Sequence, residues 1–369
     1  MSSLVVNPGL LPGRAPASSA ERLTSITVQP LPGEDWRALC RRFADRLRES
    51  EATPVHLQVF GDRRAAADVT GALQNFLGRG DWPVTWVEGN DCSGQPVAGL
   101  QVHAFTGEVE PLLAAGRVVG SVFTDGGARQ CVVGGLLPDP ALSRPEQTAQ
   151  ALENLQAALE TAGFALADVV RTWFFLEHIL DWYGDFNLAR TRIYSGVKFR
   201  TGSLPASTGV GAGNPAGAAL ALAAWAFRPL EKNAAAEEVA SPLQCPAPAY
   251  GSSFSRAMEI STNGGRRLFI SGTASIAPGG ASFWADDVYK QVELTMAVVE
   301  AILSSRGFGF ADLVRAAAYF RHPKDVGAFA KWLRAYEIPP LPVVTAQCDV
   351  CRDDLLFELE AEAVSAAPG

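Results

Sequence analysis

One nine-residue passage occurs twice in the chain. "GFALADVVR" occupies 163–171 and "GFGFADLVR" occupies 307–315, identical at six of nine positions and offset by 144. Self-similarity of this kind limits the fold more than composition does, because each copy has to be a packing unit of the same type. Each copy follows a helical pattern, at 145–162 and 288–306. In the second, Val288, Val292, Met296, Val299, Ile302 and Leu303 recur at helical spacing. Two further pairs keep the same order. "ARQCVVGGLLPD" (128–139) aligns with "RRLFISGTASIAP" (266–278) at an offset near 138, and "PASTGVGAGNPAGAALALAAWAF" (205–227) with "PVVTAQCDVCRDDLLFELEAEAV" (342–364) at 137. Each unit reads strand, strand, helix, strand, helix, strand, strand, with second helices near 181–195 and 325–337.

The repeats divide the chain into a unit over 108–232 and a unit over 233–369, joined through a Pro/Ala/Glu-rich linker at 228–248. Residues 31–107 carry the later part of the same plan: helix 34–49, strand 55–62, helix 63–78, strands 83–89 and 98–107. They predict a degenerate first unit. Residues 1–30 read as a flexible leading segment, without the charged-then-apolar pattern of a secretory leader. The longest apolar run, 217–227, is too short to span a bilayer.

Charge and cysteines narrow the partners. The net charge is −8 and no Lys/Arg-rich run is present, which argues against nucleic acid. An anionic small substrate stays compatible, because a site can be locally basic. Six cysteines in 369 residues are not a disulfide framework and predict a reducing cytoplasm. "GVGAGNPAG" (209–217) lacks a P-loop lysine and reads as a hairpin tip. His56, His103, His178 and His322 share no motif spacing, and the first two read as structural. The sequence therefore predicts no cofactor, no metal, no membrane partner and no nucleic-acid partner.

"CDVCRDDLLFELEAEA" (348–363) is the chemically richest stretch. Read as a hairpin of 343–351 and 355–364 turning at Asp353-Asp354, it pairs Cys351 with Leu356 and Asp349 with Glu358. One face then carries Val344, Ala346, Cys348, Val350, Leu355, Phe357, Leu359, Ala361 and Ala363, and packs under the helices. The other carries Asp349, Cys351, Glu358, Glu360 and Glu362. A zinc site needs about four converging ligands, and this single CxxC is split between two faces. Glu360 and Glu362 read as a solvated sheet face. Glu358 differs, because the preceding repeat has Ala221 in its place and Asn214 in place of Cys351. Only the last unit is chemically equipped there.

"SSFSRA" (252–257), "SGTASI" (271–276), "RTWFFLEHILDWYGDFNLAR" (171–190), "PASTGVGAGN" (205–214) and "CDVCRDDLLFELE" (348–360) together resemble the chorismatases, a multi-unit branch of the RidA/YjgF superfamily. The resemblance covers roughly 95–369. It implies an α+β fold of tandem RidA-like, chorismate-mutase-like units, with mixed sheets covered by helices on one face. Such units form trimers with sites in the clefts between them, so three in one chain imply a pseudo-trimer and a possible monomer. It also implies cleavage of chorismate with loss of pyruvate. In the benzoate-forming branch a cysteine stands seven residues before the catalytic glutamate, matching Cys351 and Glu358, which implies 3-hydroxybenzoate as product and Cys351 as the group steering the ring intermediate. Deaminase members carry an arginine on the strand before the final hairpin to hold the substrate carboxylate, and "LPVVTAQ" (341–347) has none.

Chorismate is a dianion with an acid-labile vinyl ether. Cleavage by protonation needs a general acid, two carboxylate anchors and exclusion of water. Glu358 is the candidate acid. Arg256 is the leading anchor, since a guanidinium fork matches a carboxylate; its plainer role is an edge-strand solubiliser. Arg321 and Lys331 are further anchor candidates, with a solvated turn as the alternative for Arg321. Tyr250 is a candidate hydrogen-bond donor, and Gly272 and Ala274 are candidate pocket walls of little bulk. The rival readings are hydrolysis to a dihydroxycyclohexadiene carboxylate, an enamine or imine deaminase, and a ligand-binding protein without catalysis.

Overall fold

The computed structural model describes residues 22–366 except 79, 81 and 115. It is a mixed α+β protein built on three sheets, as tandem RidA-like units predict. The first sheet has β1 (Leu23–Val28), β2 (Thr53–Gly61), β3 (Val84–Val87) and β4 (Val97–Phe105) in the order β1-β4-β2-β3, with helices α1 (Trp36–Glu49) and α2 (Ala66–Leu77). The second has β5 (Glu110–Ala114), β6 (Arg117–Asp125), β7 (Ala128–Leu136), β8 (Val169–Leu176), β9 (Ala206–Val210) and β10 (Leu220–Pro229), with helices α3 (Arg144–Thr161) and α4 (Ile179–Tyr194). The third has β11 (Ala235–Val239), β12 (Ala257–Thr262), β13 (Gly265–Ala274), β14 (Leu313–Phe320), β15 (Val343–Gln347) and β16 (Phe357–Ala366), with helices α5 (Val288–Ser305) and α6 (Gly327–Ala335). The six-stranded orders are β5-β6-β7-β10-β8-β9 and β11-β12-β13-β16-β14-β15, one topology written twice.

The repeated nine residues are a helix stop and a strand start. Gly163 and Gly307 take φ +71° and +73°, the left-handed conformation that ends α3 and α5. The next residues, Phe164 and Phe308, donate their N–H back to Leu159 and Leu303, each at 2.9 Å. Asp168 and Asp312 then accept from the N–H of Ala165 at 2.8 Å and of Gly309 at 2.9 Å. The shared final arginines, Arg171 and Arg315, point from β8 and β14 into the interior.

Helices cover one face of each sheet. The opposite faces meet in a common interior holding Phe60 and Phe105 of the first sheet, Trp173 and Trp225 of the second, and Phe269 and Tyr319 of the third. Contacts close a ring: β3 lies on β7, β9 on β13 and β15 on β4. Both faces of β16 are therefore buried up to Val364. Among the described residues, no helix is long and apolar enough to cross a membrane.

Four expectations need correction. Residues 23–28, assigned to a flexible leading segment, form β1 paired with β4; residues 1–21 lie outside the described residues. The 228–248 linker contains an edge strand, β11, paired with β12. The closing hairpin does not form. β15 runs parallel to β14, and β14 lies between it and β16. Adjacency in sequence suggested pairing, but α6 sets β15 on the side of β14 away from β16, and the 348–356 connection then crosses over β14. This reverses the faces of β15, so Val344, Ala346 and Cys348 join the common interior rather than the helix side. Finally, Glu360 and Glu362 are not solvated, being 0% and 1% exposed. Their face looks at the other two sheets.

Candidate active site

The seam where β9 meets β13 opens into a cleft of about 520 Å³, open solvent at its mouth included. The third sheet's unit supplies Glu358 on β16, Gly272 and Ala274 on β13, Arg256 ahead of β12, Tyr250 on the 247–250 turn, and Cys351 and Arg352 on the 348–356 connection. The second supplies Ser207 and Gly209 on β9 and Tyr183 and Arg190 on α4. Tyr183 follows a kink at Trp182, and Arg190 lies seven residues on, two turns later on the same side of the helix.

Glu358 is 4% exposed. Burial is the largest influence on it and the neighbouring Glu360 adds to it; Arg171 and Arg256 oppose them, and the carboxyl is pushed up to about 8. Among the described residues, no cation lies within ion-pairing distance of it. A side chain at Gly272 would collide with its carboxyl.

Among the described residues, the guanidinium groups lining the cleft also lack a carboxylate partner. Arg256 is 4% exposed and donates from Nε and Nη2 to the carbonyl of Cys245, at 3.0 and 2.9 Å. Its remaining N–H groups have no carboxylate among the described residues. Arg190 is 2% exposed, packs on Phe174 and Phe186, and donates to Asn187 Oδ1 at 2.7 Å, while its Nε has no partner among the described residues. Arg352 stacks on Tyr250 at 5.3 Å and donates to the Gly280 carbonyl at 2.8 Å. Burying a guanidinium without a counter-charge is costly, so this arrangement suits an anion with two carboxylates.

Cys351 shares the cleft, and burial pushes its thiol up to about 12, leaving it a neutral SH near pH 7. Cys348 instead contacts the backbone of the first sheet's unit, 3.6 Å from the Glu88 carbonyl. The two cysteines do not converge.

Behind Glu358 lies a buried ion cluster. Arg171 reaches Glu360 at 2.8 Å, and Arg315 reaches Glu360 at 3.0 Å and Glu362 at 3.2 Å. Arg267 and His103 complete Glu362 at 3.1 and 2.9 Å. Burial opposes ionisation of Glu362, yet His103, Arg315 and Arg267 hold it well below the usual carboxylate range. Arg171 also donates to Thr208 Oγ1 at 2.5 Å, which in turn accepts from the N–H of Gly272 at 3.0 Å.

The Endoribonuclease L-PSP family profile matches residues 129–219, most of the second unit. The chain is 28% identical over 242 residues to a 3-hydroxybenzoate synthase of Streptomyces hygroscopicus, covering 58% of this chain and 68% of that protein. A solved chorismatase structure aligns over 93% of this chain and 99% of its own, with a TM-score of 0.67 and 19% identity, a likeness of fold. In sequence and in fold the chain is thus similar to chorismatases and to the Endoribonuclease L-PSP (RidA/YjgF) domain.

Of the residues singled out from sequence, Glu358, Cys351, Arg256, Tyr250, Gly272 and Ala274 meet in the one cleft. Arg321 and Lys331 do not. Arg321 donates to the Asp353 carbonyl and so ties down the connection carrying Cys351, and Lys331 sits 4.2 Å over the Tyr289 ring on the helical side. Arg190, Tyr183 and Arg352 went unremarked in the sequence. Arg190 had one signal: a basic residue spaced among aromatics in "DWYGDFNLAR" (181–190), on a helix whose apolar residues face the sheet.

Proposed function

We propose that this chorismatase-type enzyme cleaves chorismate to 3-hydroxybenzoate and pyruvate, with Glu358 as general acid. One observation carries the reading. A buried carboxyl, pushed up to about 8, shares a cleft with buried guanidinium groups of Arg190 and Arg256 that lack carboxylate partners among the described residues.

Arg190, Arg256 and Arg352 bind the two carboxylates of the substrate, with Tyr250 and Tyr183 as neutral hydrogen-bond donors; burial keeps both phenols protonated. Glu358 gives its proton to the enolpyruvyl methylene carbon. The vinyl ether becomes an oxocarbenium ion and Glu358 a carboxylate. As the ring C3–O bond breaks and pyruvate leaves with that oxygen, the C4 hydroxyl oxygen closes onto C3 and gives its proton to the Glu358 carboxylate. The bridging oxygen, reprotonated, then opens at C4, and loss of the C3 hydrogen as a proton restores aromaticity with the hydroxyl on C3. The two products hold all the atoms of chorismate, so no net water is consumed; hydrolysis to the dihydrodiol would consume one. Cys351, as an uncharged thiol, shapes the space around the ring and favours aromatisation over water attack.

In this reading the units run over 31–107, 108–232 and 233–369. The ring of three sheets closes within one chain and works as a monomer. Six free cysteines suit a reducing, cytoplasmic setting.

Incubation of purified protein with chorismate, with pyruvate followed by a coupled dehydrogenase and the aromatic fraction by chromatography, tests the proposal. Equimolar pyruvate and 3-hydroxybenzoate are expected. Pyruvate with the dihydrodiol would move the chain to the hydrolytic branch. Binding without pyruvate would make it a ligand-binding protein. Turnover of enamines or imines alone would make it a deaminase.

A further inference from the structure

We propose that Glu360, held between Arg171 and Arg315, is a positioning residue that sets the field in which Glu358 gives up its proton. The inference rests on the reading of Glu358 as the acid.

Glu358 and Glu360 are two residues apart on β16, so they share a face with Cα atoms about 7 Å apart. Glu360 is fully buried and cannot turn away, because Arg171 of the second sheet and Arg315 of the third grip one oxygen each. Those arginines are the shared last residues of the repeated nine, so the duplication itself brings two cations to one carboxylate. Thr208 then links Arg171 to the backbone of Gly272, which leaves room for the Glu358 carboxyl.

The charges around Glu358 can be taken element by element. From β14, Tyr319 stands opposite it and burial keeps that phenol neutral. From 348–356, the thiols of Cys348 and Cys351 are neutral for the same reason. Tyr183 on α4 and Tyr250 on its turn are likewise neutral. Arg171 on β8 and Arg256 ahead of β12 favour the ionised form of Glu358, while Arg190 on α4 and Arg352 on the connection line the same cleft. Among these groups Glu360 alone supplies a neighbouring negative charge, and burial acts with it. A substrate carboxylate arriving at Arg190 and Arg256 would then cancel the two arginines and strengthen the hold on the proton until transfer.

The test is the pH profile of kcat/KM for full-length protein, with pyruvate as readout, together with direct titration of the Glu358 carboxyl by 13C NMR without substrate. Glu360→Gln is expected to move the alkaline limb, and the carboxyl titration, down by about one to two pH units. KM should stay within about threefold. Glu360→Asp, which keeps the charge, should return both toward the wild-type position. A folded Glu360→Gln protein with both unmoved, or a Glu360→Asp protein displaced equally far, overturns the proposal. Should Glu360→Gln fail to fold, Arg171→Gln is the second variant: it removes an opposing cation and should move the limb upward, and an unmoved limb is fatal. The NMR arm reads the coupling whatever the substrate, so failure of turnover on chorismate leaves this inference separately testable.

Discussion

Gly272 has no side chain where the carboxyl of Glu358 needs space: a single methyl at 272 would overlap Oε1. The carboxyl is thereby seated against β13, facing the cleft rather than the helices. Gly272→Ala should fold, because the obstruction is a side chain and not backbone, but should displace the acid. Pyruvate release is expected to fall by about 10²–10⁴-fold, the usual contribution of a placed acid, with a near-native circular dichroism spectrum. Wild-type turnover in the folded variant would remove the reason for glycine here.

Glu358→Gln should lower kcat by a similar factor while chorismate binding, measured by calorimetry, persists. The substitution also has a thermodynamic sign. The folded-state carboxyl sits at about 8, above its unfolded value near 4.3. Its contribution to stability is complete below about pH 4.3 and is lost as pH rises toward 8. Glu358→Gln should therefore be the more stable protein at pH 9, by on the order of a few kcal/mol, and thermal melts at pH 5 and 9 check this.

Activity should fall as pH rises through about 8, since only the protonated acid can act. Acid has a different effect. Glu362 is held low by its cations, so its contribution is present above the unfolded value and is lost as pH falls below about 4. Urea midpoints between pH 3 and 6 should show that loss, and Glu362→Gln should flatten it at a cost of about 3–5 kcal/mol near neutrality.

The two wall arginines should behave alike although they come from different units. Arg190→Gln and Arg256→Gln are each expected to reduce kcat/KM by about 10–100-fold, the worth of a hydrogen bond to a charged group. Lys331→Gln should leave it unchanged. Equal effects at 190 and 331 would contradict the cleft described here.

Cys351→Ala should change the ratio of aromatic to dihydrodiol product while leaving total pyruvate release within about tenfold. Chromatography reads the ratio. An unaltered ratio would exclude a steering role.

The duplicated architecture was legible because its signal is local: glycine ending a helix and aspartate opening a strand leave the same letters twice. Glu358 stood out because its counterpart in the other copy is Ala221. The fate of Glu360 and Glu362 was not legible. Alternation along β16 shows which residues share a face, but not whether water or another sheet lies opposite it. The place of β15 failed for a related reason, since parity was counted through a turn that the chain replaces with a crossing over β14. Arg190 was hidden because its role exists only across the seam between units.

Closure of three unlike sheets into a ring has a consequence for how such a molecule can vary. In an assembly of identical copies, every substitution lands in all the junctions at once, and one that tightens a junction also blocks a pocket. Here each junction has its own residues. The one between β3 and β7 is sealed by His56 and Thr85 against the backbone of Gly134 and Gly135, while the one between β9 and β13 stays hollow. A single polypeptide can thus use one joint as adhesive and keep the next open as a pocket.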